Sequence, residues 1–281
     1  MRCRHAGHPR PWCRPSAAAA LALLAMLVGP AGAASAQAPA APAQAAAAGF
    51  STLVFSDAFT ADTFTSAAPT QRWWNSFWFF PPPVGSAALL SDSGGVRITT
   101  PGTTPNAHLV NHPANSNAYG PNDLFGYFEA RMRFSAGPGG DVRNSWGAFW
   151  LLSKPAIENQ VTDASGNKAW CEIDVAEMFG HGFLNTTIHS WVQIGSGTPR
   201  DTINPAHLNM VTVDPIDGNW HTFGVLWQDG VVTWFLDDVE VATYSHAFAV
   251  CNTQAMTVVL SSQSLTGDSQ VADVDWVRVW H

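Results

Sequence analysis

The chain has 281 residues, with 13 Lys and Arg against 21 Asp and Glu and a formal net charge of −8. An acidic balance argues against nucleic acid and strongly anionic polymers as partners, because counterion release and electrostatic steering both need basic surface. At 281 residues the chain is long enough for one large all-β domain or two small ones.

Met1–Ala36 reads as a signal peptide. Arg2, Arg4, Arg10 and Arg14 make a basic start, Ala17–Val28 is apolar, and Ala34-Ser35-Ala36 and Ala36-Gln37-Ala38 are small-x-small cleavage sites. The apolar run is short for a membrane span, and no later stretch approaches that length. Secretion, extracellular or periplasmic, without membrane attachment is therefore expected; a retained anchor is the alternative. Losing the four leader Arg and no acid leaves the mature chain with 9 basic against 21 acidic residues, a formal charge near −12. Residues 37–49, rich in Ala, Pro and Gln, read as a disordered tether, with the folded domain over residues 50–281. Cys3 and Cys13 leave with the leader. An oxidising compartment permits a bridge between the remaining Cys171 and Cys251. Cys171 nevertheless reads as a core residue, where a free thiol behaves as a small hydrophobe, and two free thiols are expected.

Along the mature chain, Thr52–Phe59 is a first strand. Trp73–Phe80 is an aromatic burst ended by Pro81-Pro82-Pro83, with Phe77 and Phe79 expected to pack inside. Ser93-Gly94-Gly95 is a turn into Val96–Thr100. Pro101–Asn122 is turn-rich, and its His108 and His112 lack metal-ligand spacing and read as surface-loop residues. Phe125–Phe134 alternates cleanly, Trp146–Leu152 is strongly apolar, and Lys154–Lys168 is a polar loop. Asn185–Val192 is a strand, Gly195–Pro215 an irregular segment without evident chemistry. His221–Trp227, Val231–Leu236 and Val239–Thr243 form a meander, and Met256–Ser262 and Asp273–Trp280 are the closing strands. Short strands, frequent turns and almost no helical periodicity predict an all-β, antiparallel two-sheet sandwich.

The most informative stretch is Trp170-Cys-Glu172-Ile-Asp174-Val-Ala-Glu177. Alternation puts Trp170, Glu172 and Asp174 on one face, and Cys171, Ile173 and Val175 on the other. Ala176 breaks the period. A β-bulge at Val175–Ala176 would reset it and return Glu177 to the acidic face. Carboxylates are depleted in strands and repel one another on a shared face, so such a row needs a reason. A solvated edge strand is the plain alternative. The chemical reason is glycosidic bond cleavage. Four effective strand steps of roughly 3.3 Å put the two Glu Cα atoms about 13 Å apart. Side chains leaning inward would bring their carboxyls to about 5 Å, the separation of a retaining glycosidase.

Glu172-Ile-Asp174-Val-Ala-Glu177 resembles the active-site signature of glycoside hydrolase family 16 in its bulged form, E-x-D-x-x-E, the form of laminarinases, agarases and carrageenases. Gly126-Tyr-Phe-Glu129-Ala-Arg131, Trp146-Gly-Ala-Phe-Trp150, Trp220-His221-Thr-Phe-Gly-Val-Leu-Trp227 with Trp234-Phe-Leu-Asp237, and Val274-Asp275-Trp276-Val277-Arg278-Val279 resemble its other strands in the family's order. The resemblance implies a β-jelly roll of concanavalin A type, with a substrate groove across the concave sheet.

It further implies Glu172 as nucleophile, Glu177 as general acid and then base, and Asp174 between them sharing protons or hydrogen bonds with both. His189, in a T-x-H segment, is expected to hydrogen-bond Glu177 or the sugar, with a purely structural His as the alternative. Trp170 is expected to stack on a sugar ring, and Trp146, Trp150 and Trp191 to join it; Phe149 and Leu151 can fill the core side of their strand. The sequon at Asn185 is discounted, since a glycan beside the cleft is implausible. No cofactor is expected for catalysis, although the resemblance implies a structural calcium ion on Asp275, near Asp57 and Gly94 or Gly95. The expected protein is a monomeric, secreted endo-β-glycanase acting on a polysaccharide. A β-1,3-glucan of laminarin type is the lead; an agarase-like or exopolysaccharide hydrolase, or an inactive lectin-like sandwich, is the alternative. Ala176, Met178, and Ser261-Ser262 where many relatives carry Asn, depart from the usual laminarinase wording.

Overall fold

Period-two patterning dominates the chain, and each well-patterned strand buries one face. The computed structural model describes residues 38–281 apart from 66, 69, 75–85, 91–93, 101–106, 112–123, 137–144, 161, 180–183, 204–208, 212–216 and 265–269. The leader and most of the aromatic burst, Phe77 and Phe79 included, lie outside the described residues.

In chain order the first strands are β1 (Leu53–Asp57), β2 (Ser86–Leu89), β3 (Val96–Thr100), β4 (Ala107–Val110) and β5 (Gly126–Ala136). Then come β6 (Ser145–Ser153), β7 (Lys168–Phe179), β8 (Leu184–Gln193), β9 (Arg200–Asp201) and β10 (Asn209–Val211). The last are β11 (His221–Gln228), β12 (Val231–Leu236), β13 (Val239–Ser245), β14 (Met256–Ser264) and β15 (Gln270–Trp280). They form two antiparallel sheets. An eight-stranded sheet runs β13-β12-β11-β5-β15-β3-β2 with β1 also on β15; a seven-stranded sheet runs β10-β8-β7-β6-β14-β4 with β9 on β8. Sequence-distant strands are neighbours in both.

The core lies between the sheets. Phe128, Ala130, Met132 and Phe134 of β5 meet Phe149 and Leu151 of β6 and Ile173, Val175 and Ala176 of β7. Each large apolar side chain buried this way contributes roughly 1.5–3 kcal/mol. Trp234 of β12 crosses the interface and donates its indole N–H to the backbone carbonyl of Asp174 at 2.8 Å. On β6, a Cβ at Gly147 would stand 2.4 Å from the Phe134 ring, so only glycine admits this close contact between the sheets.

Several expectations are corrected. Within the supposed tether, Ala43–Ala47 is a helix, α1, and Ala38–His281 is one compact unit. Ala45 is fully buried with Tyr127, Phe235 and Trp280, and Gln44 donates to Tyr127 Oη at 2.8 Å. Composition describes an isolated segment; the aromatic surface that orders this one is supplied by distant strands. The second correction concerns the thiols: Cys171 and Cys251 form a disulfide, with Cα atoms 5.0 Å apart. Cys171 does face the core, but a short 3-10 turn, Ala249–Asn252, delivers its partner there. Lys154–Ile157, read as loop, is a short helix, α2, and His108 belongs by its backbone to β4. His112 lies outside the described residues. No helix among the described residues is long and apolar enough to cross a membrane.

Candidate active site

Strand β7 carries the acids, and its register shows how they share a face. On β6, Glu172 stands opposite Leu152, Asp174 opposite Trp150 and Glu177 opposite Ala148, with a shift between Phe149 and Trp150. On β8, the partners are His189 for Glu172, Thr187 for Asp174 and Asn185 for Glu177. Five steps of β7 thus run beside four steps of either neighbour, which is a bulge. Val175 and Ala176 both point into the core, 1% and 0% exposed, and Glu177 returns to the outer face.

That outer face of the seven-stranded sheet forms a cleft of about 310 Å³. Glu172, Asp174 and Glu177 lie on its floor, and Trp146, Trp150, Trp170 and Trp191 line it with Ser261 and Gln263 of β14 and Pro199. All four Trp residues expected at the sugar are therefore in one place. Trp146 donates its indole N–H to Glu177 Oε1 at 2.8 Å, and Trp191 donates to Glu172 Oε2 at 3.0 Å. Trp150 donates to Ser261 Oγ at 3.2 Å, and Trp170 stacks on Trp191 with ring centres 6.4 Å apart. Asn185 is buried and its amide donates to the backbone carbonyl of Glu177, which accords with discounting the sequon.

The three acids are held above their ordinary range. Burial raises Glu172, the Asp174 charge adds to it, and His189 and the Trp191 indole pull it back, leaving it at about 8. Burial, then Asp174, pushes Glu177 well up, against the Trp146 indole. Burial also raises Asp174, opposed by His189. The cluster therefore gives up its protons in steps that belong to the group as a whole. His189 stands opposite Glu172 on β8 and beside Asp174, so its charge favours ionisation of these two acids. One acid ionised and one protonated is the division that a nucleophile and a general acid need.

His189 differs from expectation. Its Nε2 lies 3.2 Å from Asp174 Oδ2 and its Nδ1 2.7 Å from Asp201 Oδ2, so its partners are these two carboxylates rather than Glu177. The reason is register: His189 lies opposite Glu172, four residues along β8 from the partner of Glu177. Asp201 was not anticipated, because it sits in β9, inside the segment read as irregular. Gln263, one step beyond the expected end of its strand, keeps the parity of Ser261 and so also reaches the cleft.

The residues of the implied calcium site do not fit a cation. Asp57 is buried and accepts from Phe59 N, Thr63 Oγ1 and Trp73 Nε1. The carbonyl of Gly95 accepts from Leu90 N, and Asp275 pairs with Arg131 at 2.5 Å and feels Arg278 nearby. Hydrogen-bond donors hold the first carboxylate and cations surround the other.

A sandwich with a carboxylate-floored, tryptophan-walled cleft defines a hydrolase of glycosidic bonds. Residues 114–278 match the family model described as glycosyl hydrolases family 16, and the chain belongs to that family. Among curated proteins it is 34% identical over 121 residues to the endo-1,3-1,4-beta-glycanase ExsH of Rhizobium meliloti (strain 1021), covering 42% of this chain and 20% of ExsH. With EglC of the same organism, also an endo-1,3-1,4-beta-glycanase, it shares 26% identity over 178 residues, 59% of this chain and 33% of EglC. The chain thus spans a third or less of the length of these relatives. In fold it resembles the crystal structure of LamAcat from Zobellia galactanivorans, with TM-score 0.56, 18% identity, and coverage of 83% of this chain and 99% of that one.

Proposed function

We propose that the protein is a secreted, retaining endo-β-glycanase whose lead substrate is a β-1,3-linked glucan. The observation that carries the reading is the bulge at Val175–Ala176, which leaves Glu172 and Glu177 on one cleft face across four ladder steps. At roughly 3.3 Å per step the Cα atoms stand about 13 Å apart, and side chains leaning inward bring the carboxyls to about 5 Å. In this mechanism ionised Glu172 attacks the anomeric carbon while protonated Glu177 gives its proton to the departing oxygen. Glu177 then takes a proton from the water that releases the sugar from Glu172. Asp174 lies between the two and, ionised beside His189, favours retention of the proton on Glu177.

The leader motif and the Cys171–Cys251 disulfide support secretion, since such bonds persist in oxidising compartments. Among the described residues the cleft lining includes no Lys or Arg, which favours a neutral glycan over a sulfated one. A mixed 1,3-1,4-linked β-glycan is the second reading, favoured by the similarity to ExsH and EglC, both endo-1,3-1,4-beta-glycanases.

Reducing-sugar release from laminarin, mixed-linkage β-glucan and agarose, with wild type beside Glu172→Gln, tests both the activity and its preference. Product anomers followed by proton NMR test retention. Equal, negligible release by both proteins across the panel would instead favour a binding sandwich, and an inverted first product would exclude double displacement.

A further inference from the structure

Asp201 is built into the site more firmly than its place in a two-residue strand suggests. Its Oδ1 accepts the backbone N–H groups of Ser190 at 3.2 Å and Ile203 at 3.0 Å, while Oδ2 faces His189 Nδ1 at 2.7 Å. Thr202 anchors the same segment, its N–H and hydroxyl both donating to the carbonyl of Ser190. On its other side the His189 ring meets Asp174, and the ring lies on Trp191 at 5.3 Å between centres. A ring with a carboxylate within reach of each nitrogen is favoured as imidazolium, the form that carries an N–H at both and the charge to pair with them.

We propose that Asp201 is a positioning residue: it holds His189 as an imidazolium against Asp174, and that fixed positive charge keeps Glu172 and Asp174 ionised while Glu177 retains its proton. The inference rests on the catalytic roles proposed above. The titratable groups facing His189 are Glu172 and Asp174 from β7 and Asp201 from β9; the turn Ala249–Asn252 brings Cys251, which is in the disulfide. Burial works against the charge, but the two carboxylate contacts and the field of Glu172 outweigh it and raise His189 to about 10.

Asp201→Asn removes the charge at nearly constant shape. The expected result in wild type is a His189 imidazole whose 15N signals stay in the charged form from about pH 5 to about pH 8. In Asp201→Asn its midpoint falls by about one unit or more, to a value still above the acid limb. With the Asp201 charge gone and His189 still protonated there, Glu172 ionises more readily and the acid limb of kcat/KM moves down. Alongside these shifts kcat falls about tenfold with KM little changed. Asp201→Glu, which restores a carboxylate, recovers part of both shifts, whereas a purely structural role would not separate Asn from Asp. A wild-type His189 titrating near its ordinary value overturns the proposal even if the variant fails to fold. So does an unmoved titration or acid limb in a folded variant. Full activity in Glu172→Gln would instead sink the catalytic reading, while the imidazole titration would still report the hold of Asp201 on His189.

Discussion

Trp234 reaches from one sheet to donate its indole N–H to the backbone carbonyl of Asp174 in the other, at 2.8 Å and fully buried. The contact falls where the β7 ladder is interrupted by its bulge. A core tryptophan therefore supports from beneath the backbone that carries the acids. Trp234→Phe keeps most of the apolar area but leaves a buried carbonyl without this donor, at a cost of about 1–3 kcal/mol. Chemical denaturation should show the loss, with kcat falling more than KM rises. Unchanged stability would mean that the carbonyl finds another donor.

The disulfide closes a sequence separation of 80 residues, and Cys171 immediately precedes Glu172. Loop-closure entropy at this length corresponds to about 4 kcal/mol, as an upper estimate. Cys171→Ser with Cys251→Ser, or thiol reduction of wild type, should lower the melting temperature markedly. Activity at moderate temperature should fall as well, because the turn Ala249–Asn252 loses its tie to the catalytic strand. An identical melting curve with and without reductant would refute this.

Two tryptophans should tune the pH profile separately. Trp191→Phe removes a donor that favours ionised Glu172, so the Glu172 pKa rises and the acid limb of kcat/KM shifts upward, narrowing the active range. Trp146→Phe removes the corresponding donor from Glu177, so its proton is held to higher pH and the alkaline limb also shifts upward, widening the range. Each shift is expected at about half a unit to one unit. Movement of the opposite limb in either variant would reverse the assignment of acid and nucleophile.

Glu129, on the outward face of β5, makes a prediction about stability rather than rate. It is 3% exposed, and burial raises it to about 8, against the attraction of Arg278. The folded state therefore binds this proton more tightly than the unfolded chain. Between the unfolded value of 4.5 and about 8, the unfolded state has lost a proton that the folded state keeps, so stability falls as pH rises through that window. Glu129→Gln should remove its share of the decline, roughly 5 kcal/mol at most, read from melting temperatures at acid and alkaline pH. A Glu129→Gln variant with the wild-type slope would show that other groups carry it.

What the sequence by itself determined is what alternation within a strand can carry. Trp170, Glu172 and Asp174 share a face because neighbouring side chains must point oppositely, and one extra residue before Glu177 marks the bulge without reference to any other strand. The two-sheet architecture followed from the same period. Tertiary structure alone decided the rest, because it turns on partners brought together from far along the chain. His189 was legible as a site residue, but its pairing with Asp174 and Asp201 depends on β8 register and on a two-residue strand with no pattern of its own. Ala45 looked like tether until Tyr127, Phe235 and Trp280 supplied a surface for it, and Cys171 looked like a free core thiol until the chain returned Cys251 beside it. Local patterning chooses which face a residue takes; only the packed sheets choose what it meets there.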